Sequence, residues 1–203
     1  MKQIFIIGAG GHARACIDII ESTKLFKILA LVDSKKNQKK IFKYKNISEK
    51  LLLKKNKKKF KKINLIIGIG QIKNNSLRKK KYIEFKRNGF KFPKVTSKFS
   101  YISKYSKLAE GTLVCHHVVI NSGVRIGVNC IINNKALIEH DVIIGNHCHI
   151  STGALINGGV VIGSNTFIGS GTIIKENVKI GSDCVVGAGL TIKKNIKSNS
   201  LVK

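Results

Sequence analysis

The chain is short of acid: 10 Asp and Glu stand against 38 Lys and Arg in 203 residues, a formal charge of +28. It has no run of 18 or more apolar residues, so no ordinary membrane-spanning helix is expected, and no membrane insertion. The N-terminus runs straight into MKQIFIIGAG without the small-residue cleavage site of a secretory signal, which makes the cytoplasm the expected location. Five Cys, an odd number with no C-x-x-C pair, fit a reducing compartment better than a disulfide framework. What the chain does have is ordinary apolar content, 43%, enough to build a core and too much for disorder throughout.

The charge is unevenly placed. Residues 1–100 hold 28 of the 38 basic side chains, and residues 35–62 hold 14 Lys in 28 positions with almost no aromatic interleaving. Such a run reads either as a patch for phosphate backbones or membrane surfaces or as a solvated face. Arg is scarce, four against 34 Lys, whereas bidentate phosphate reading favours Arg. The solvated face is therefore the reading carried forward, with no specific nucleic-acid partner.

From residue 102 onward a six-residue period dominates. Every sixth residue from Ile102 to Ile192 is Ile, Leu or Val without exception, and the residue four places on is mostly small or β-branched. The next position is often Gly (Gly127, Gly145, Gly163, Gly169, Gly181, Gly187), where a turn needs either φ freedom or close approach. One large and one small inward residue per hexad suit a short strand plus a bend. Three hexads then close one coil, and residues 18 apart stack at roughly 4.8 Å as ladders inside a parallel β-helix. Cys130, Cys148 and Cys184 fall on the small inward position, so they read as core residues and none as a nucleophile.

The first half has another grammar. A buried-strand run at 3–7 is followed by Gly8-Ala9-Gly10-Gly11-His12-Ala13 and an amphipathic stretch through Ile20. Strand, glycine turn and helix form the context in which backbone N–H groups approach a pyrophosphate. A second strand at 28–32 ends at Asp33, placed to meet a ribose hydroxyl, and a third at 64–67 leads into Gly68-Ile69-Gly70-Gln71. The segment Arg78–Arg87 reads as a helix. Alternating strands and helices predict a small parallel sheet. About 95 residues suffice for one mononucleotide-binding half, which suits a nucleotide-sugar better than a dinucleotide.

Together the halves resemble the hexapeptide-repeat sugar acetyltransferases that include UDP-4-amino-sugar N-acetyltransferases of the bacillosamine pathway and sialic acid O-acetyltransferases. The resemblance rests on GAGGHA after the first strand, Asp33-Ser34-Lys35, Gly68-Ile69-Gly70, NGFKF at 88–92, VVIN at 118–121, Ile138-Glu139-His140-Asp141 and His149-Ile150-Ser151. It implies an α/β Rossmann-like domain over 1–95 that binds the nucleotide-sugar and a left-handed parallel β-helix over 96–203 that binds acetyl-CoA. It implies a homotrimer with acetyl-CoA between adjacent β-helices and no metal. By the same resemblance His140 is the general base, Asp141 orients it, and His149 lies by the thioester carbonyl. Gly158, Gly159 and Ala188 then line the pantetheine path, with Gly158 and Gly159 N–H groups available to an oxyanion. Gly8, Gly10, Gly11, His12, Lys35, Gly68 and Gly70 join Asp33 in holding the nucleotide-sugar, although His12 reads equally well as a helix-start cap.

The chemistry agrees with that assignment. Acyl transfer from a thioester needs a proton removed as the tetrahedral intermediate forms, and one His supplies roughly 10²–10⁴-fold. Direct attack suits a site without an activated Ser or Cys. The acceptor stays open between the amino group of a UDP-linked 4-amino-sugar and a hydroxyl of sialic acid or a related sugar, because both need the same base. A zinc enzyme of the trimeric β-helix carbonic anhydrase type would need an H-x-x-x-x-H pair, which is missing: position 145 is Gly. A Lys-driven nucleic-acid-binding protein and a catalytically dead scaffold are the remaining rivals, and both leave the His140-Asp141 pair unused.

Overall fold

The structure, a computed structural model, describes residues 1–33, 40–54, 63–72 and 76–203. It divides into two compact units, the first comprising Met1–Gly70 and Ser76–Val95, the second Gln71–Asn75 and Thr96–Lys203.

In the first unit, β1 (Lys2–Ile7) runs into a glycine turn and α1 (Gly11–Thr23), followed by β2 (Phe26–Val32). Next come β3 (Lys40–Ile41), β4 (Tyr44–Ile47), α2 (Glu49–Lys54), β5 (Asn64–Ile67) and α3 (Ser76–Arg87). The sheet order is β3-β4-β2-β1-β5, parallel except for the β3–β4 pair. β1 is paired on both sides, by β2 and β5, and Ile4, Ile6 and Ile7 are fully buried, so its run is apolar rather than alternating. α1 buries Ala13, Cys16, Ile17, Ile19 and Ile20, the stripe that its 3.6-residue period dictates, and ends on Lys24 in the left-handed region. β3, β4 and α2 lie inside the Lys-rich segment read as a solvated face. Lys40, Lys45 and Lys50 occupy their outward positions, while Ile41 and Leu52 point into the core. The rest of that segment, with Lys35, lies outside the described residues.

The second unit is a parallel β-helix of two-residue strands. Its first wall stacks six strands from Tyr101–Ile102 to Thr191–Ile192, and its second stacks five from Lys107–Leu108 to Lys179–Ile180. The third stacks seven, from Val95–Thr96 to Leu201–Val202. Ladder partners are 18 residues apart, as in Ile102↔Ile120↔Ile138 and Ile132↔Ile150↔Ile168. Their side chains fill one continuous aliphatic core.

Each bend is built by two residue types. From Leu108 through Val186 the third residue after each inward aliphatic adopts positive φ: Gly111, His117, Gly123, Asn129, Lys135, Asp141 and onward to Gly189. This is the left-handed corner that Gly, Asn and Asp tolerate best. The glycines directly after the aliphatic have another cause. A β-carbon on Gly127 would lie 2.7 Å from the Gly145 carbonyl carbon, and one on Gly145 would lie 2.6 Å from Ser164 N. Of the two reasons offered by the sequence, close approach between coils is the operative one.

One vertex of the triangle has its own chemistry. Thr112, Cys130, Cys148, Thr166 and Cys184 form a single column between the second and third walls. Each donates its O–H or S–H to a carbonyl of the next coil, at 2.8, 3.1, 3.1, 2.9 and 3.1 Å. The cysteines are buried and free, and they act as hydrogen-bond donors as well as small core groups.

Candidate active site

His140 and Asp141 occupy the vertex between the first and second walls, just after Leu137–Ile138. Asp141 holds the left-handed corner, φ 60°, and its Oδ2 lies 3.0 Å from His140 Nδ1. A carboxylate only accepts, so Nδ1 carries the proton and donates it. The Nε2 lone pair is then the basic position. Both side chains are largely exposed, 64% and 72%. Small neighbours set their orientation: the His140 ring lies against Gly158 in the next coil, and the Asp141 carboxylate lies against Gly123 in the preceding one. Beside the pair, Asn121 Nδ2 donates to Glu139 Oε2 at 2.8 Å, one coil apart on the same column.

Gly158 and Gly159 sit at this same vertex, one coil on. The Gly159 N–H already donates to the His140 carbonyl at 3.0 Å as part of the coil-to-coil ladder. It is therefore not available to an oxyanion, which corrects that part of the sequence reading.

His149 and Ala188 lie elsewhere, at a cavity of about 760 Å³ on the third wall. Ile72, Phe167, Gly169, Ser170 and Gly187 also line it. His149 is nearly buried, with its ring edge-on to Phe167 at a centroid distance of 5.2 Å. Its Nδ1 donates to the Gln71 carbonyl at 2.6 Å. Asn133 Oδ1 accepts from Asn134 N at 2.8 Å, which turns the Asn133 amide nitrogen toward His149 Nε2 at 3.3 Å. The ring is thus the Nδ1–H tautomer with Nε2 accepting. The vertex carrying His140 is the one opposite the third wall, so within one coil stack His140 and the His149 cavity face away from each other.

In the first unit the predicted ligand residues separate into two kinds. Gly8, with φ 105°, and Gly68 are glycines because of packing: a β-carbon would stand 2.8 Å from Ile69 Cγ1 at Gly8 and 2.5 Å from Ile6 Cγ2 at Gly68. Gly10 and Gly11 have nothing within 4 Å of an added β-carbon. They leave an open cradle, with Gly10 as N-cap of α1, at the helix end whose dipole favours an anion. Asp33 Oδ2 accepts from Ala9 N at 2.9 Å and so ties the end of β2 to this turn. Gly70 packs beside His12, 3.4 Å from its Cβ. The fully buried Arg78 braces the second loop: Nη1 donates to the Ile67 and Ile69 carbonyls at 2.6 and 2.9 Å. Sequence reasoning passed over Arg78, Asn133 and the Asn121–Glu139 pair. The last was findable, because 121 and 139 are one 18-residue coil apart.

Among the described residues no group of three or more His, Cys, Asp or Glu is arranged to hold a metal ion. Nor is any of their helices long and apolar enough to cross a membrane.

A family model described as the PglD N-terminal domain matches residues 3–85, and one described as the bacterial transferase hexapeptide (six repeats) matches 159–194. Among solved structures, the chain is similar to perosamine N-acetyltransferase from Caulobacter crescentus, determined as a His-to-Asn variant with CoA and GDP-perosamine. That pair is 27% identical over 99% of this chain and 93% of the other, with a TM-score of 0.90. The acetyltransferase domain of PglB from Neisseria gonorrhoeae is 24% identical over 99% and 96%, with a TM-score of 0.91. WeeI from Acinetobacter baumannii is 23% identical over 100% and 97%, with a TM-score of 0.86. The last two speak to the fold alone. The chain thus matches a PglD-type N-terminal domain in its first unit and the hexapeptide-repeat transferases in its second, and it is similar over nearly its whole length to a sugar N-acetyltransferase.

Proposed function

We propose that this enzyme transfers the acetyl group of acetyl-CoA directly to the amino group of a nucleotide-linked 4-amino-sugar, with UDP as the nucleotide. The observation that carries this reading is the His140–Asp141 pair. With Nδ1–H held by the carboxylate, Nε2 takes the proton from the attacking amine as the thioester carbonyl becomes tetrahedral. The tetrahedral intermediate then expels the sulfur, which takes the proton held on His140 and leaves as the CoA thiol, so the base is regenerated and no covalent enzyme intermediate is needed. Solved similarity to an enzyme crystallised with CoA and GDP-perosamine supports both the donor and a nucleotide-linked amino-sugar as acceptor.

The open cradle at Gly10 and Gly11, closed behind by Gly8, Asp33, Gly68 and Gly70, receives the nucleoside and the phosphate next to it, with His12 at the start of α1 beside it. The third-wall cavity takes the pantetheine arm past His149 and Ala188. Because His140 sits at the vertex opposite that wall, donor and base meet only if a second copy supplies one of them. A homotrimer, with the His140 vertex and Gly158 of one protomer against the third wall of its neighbour, satisfies this. Light scattering is expected to give three times the 22.4 kDa chain mass.

Thiol release from acetyl-CoA, followed with UDP- and GDP-linked 4-amino-sugars, their 4-hydroxy parents and free sialic acids, tests the reading. Turnover confined to UDP-linked amines is expected. Turnover only with sialic acids overturns the acceptor, and preference for the GDP-linked amine overturns the nucleotide.

A further inference from the structure

A cavity of about 640 Å³ lies along the His140 vertex, lined by Tyr101, Lys104, Tyr105, Asn121, Glu139 and His140 among others. Its geometry follows from the 18-residue repeat. Lys104, Ser122 and His140 share one column, as do Tyr105, Gly123 and Asp141, so Lys104 stands two coils from His140, ~10 Å at the spacing of paired strands. Asn121 and Glu139, joined by their hydrogen bond, form a polar floor between these ends. Tyr101 and Tyr105 are 61% and 67% exposed, unusual for large rings, and Lys104 Nζ rests 5.0 Å from the Tyr105 ring centroid. That contact poises the ammonium at the far end of the cavity. The equivalent corner positions on later coils are Gly123, Asp141 and Gly159, so the aromatic rim exists only at the start of the column.

We infer that this cavity seats the acceptor's pyranose ring and its first phosphate, with Tyr101 and Tyr105 as the aromatic rim, Lys104 as the phosphate's partner and the amine delivered to His140. The inference rests on the acetyl-transfer reading above and specifies how its acceptor is held. A pyranose with its anomeric phosphate spans about the distance between His140 and Lys104. Aromatic rims suit the C–H faces of sugars, and a polar floor suits ring hydroxyls. The arrangement selects phosphate-linked over free amino-sugars, since a free sugar leaves Lys104 without its anion.

The test compares Lys104→Met, Tyr105→Ala and Tyr105→Phe, with Lys98→Met as a control, since Lys98 makes the same kind of contact with Phe99 at another vertex. Lys104→Met is expected to raise KM for the nucleotide-sugar roughly fivefold and to flatten its salt dependence, while KM for acetyl-CoA holds. Tyr105→Ala is expected to raise it and Tyr105→Phe to restore it, with melting temperatures unchanged in all four. Calorimetric binding of the nucleotide-sugar separates this inference from the one beneath it. Wild-type binding that Lys104→Met weakens, without turnover of any acceptor, sinks acetyl transfer and leaves the cavity assignment standing. Turnover with binding unchanged across the Lys104 and Tyr105 variants overturns the cavity assignment alone, as does equal KM for free and nucleotide-linked amino-sugars.

Discussion

The imidazole of His140 lies against the bare α-carbon of Gly158: a β-carbon built there would stand 2.6 Å from Nε2 and 2.7 Å from Cε1. Gly158 is therefore a glycine for the sake of a side chain one coil away. Gly158→Ala is expected to push the ring off its position and lower kcat on the order of 10²-fold, since misplacing a reacting group by an ångström has that effect. The melting temperature is expected to stay within a few degrees, because the corner itself carries its positive φ at Gly159. His140→Ala in parallel is expected to lose roughly 10²–10⁴-fold. Full activity in His140→Ala removes the imidazole from the mechanism.

Asp141 combines a corner conformation with the bond that fixes the His140 tautomer. Asp141→Asn keeps a residue that tolerates φ 60° but offers an amide in place of a carboxylate, so kcat is expected to fall with little change in melting temperature. Asp141→Ala loses both and is expected to cost roughly 1 kcal/mol of stability as well. Thermal melts beside initial rates separate the two effects. Equal rates for Asp141→Asn and wild type deny the carboxylate an orienting role.

The β-helix was legible because its coil repeats one constraint sixteen times: an aliphatic that fails to point inward breaks a ladder, so the period survives in the sequence. The His140–Asp141 pair was singled out through the family resemblance alone, since the period runs through it unbroken and Asp141 takes the same corner as Asp183. β3, β4 and α2 were hidden, since Lys40, Lys43, Lys45 and Lys50 crowd positions where outward residues are unconstrained, and among their described residues only Ile41 and Leu52 are buried. Gly159 shows a different limit. Its glycine was visible, but that its N–H is committed to the His140 carbonyl depends on which coil faces which amide.

Cys148 tests the donor column. Its Sγ donates to the Gly163 carbonyl at 3.1 Å, and its own N–H donates to Cys130 Sγ at 3.4 Å. Thr112 and Thr166 make the equivalent bonds in the same column, so Cys148→Thr is expected to melt within a few degrees of wild type. Cys148→Val fills similar space but strands a buried carbonyl, at about 1–3 kcal/mol. Neither change is expected to alter kcat. Loss of activity in a well-folded Cys148→Thr protein would give the thiol a role that this column denies it.

Arg78 is a positioning residue. An ionised guanidinium is expensive to bury, and this one serves the two carbonyls that flank Gly68. Arg78→Lys keeps the charge but, on a shorter side chain, not the position of the one nitrogen, Nη1, that serves both carbonyls. It is expected to raise KM for the nucleotide-sugar while KM for acetyl-CoA and kcat hold. Arg78→Met removes the donors and is expected to lower the melting temperature by several degrees. If both Michaelis constants rise together in Arg78→Lys, the effect is general loosening rather than loop placement.

The buried thiol of Cys16 sets an alkaline limit on stability. Desolvation in the interior of the first unit is the main cause, opposed by the nearby Arg78 charge, and together they push the thiol up to about 12 from an ordinary 9.0. In the unfolded chain the thiol ionises near its ordinary value, whereas in the folded chain it stays protonated until about pH 12. The folded state therefore holds one more proton in that window, and its stability falls as pH rises, by up to ~1.4 kcal/mol per pH unit. Below pH 8 both states are protonated and the contribution is flat. Melting temperatures of wild type and Cys16→Ala across pH 8 to 11 check this: the difference between them is expected to narrow or reverse in favour of Cys16→Ala as the solution becomes more alkaline. Parallel curves would mean that the thiol ionises without unfolding its surroundings. Alkylation by iodoacetamide at pH 8 is expected to leave all five cysteines unmodified in the native protein, because every one is buried.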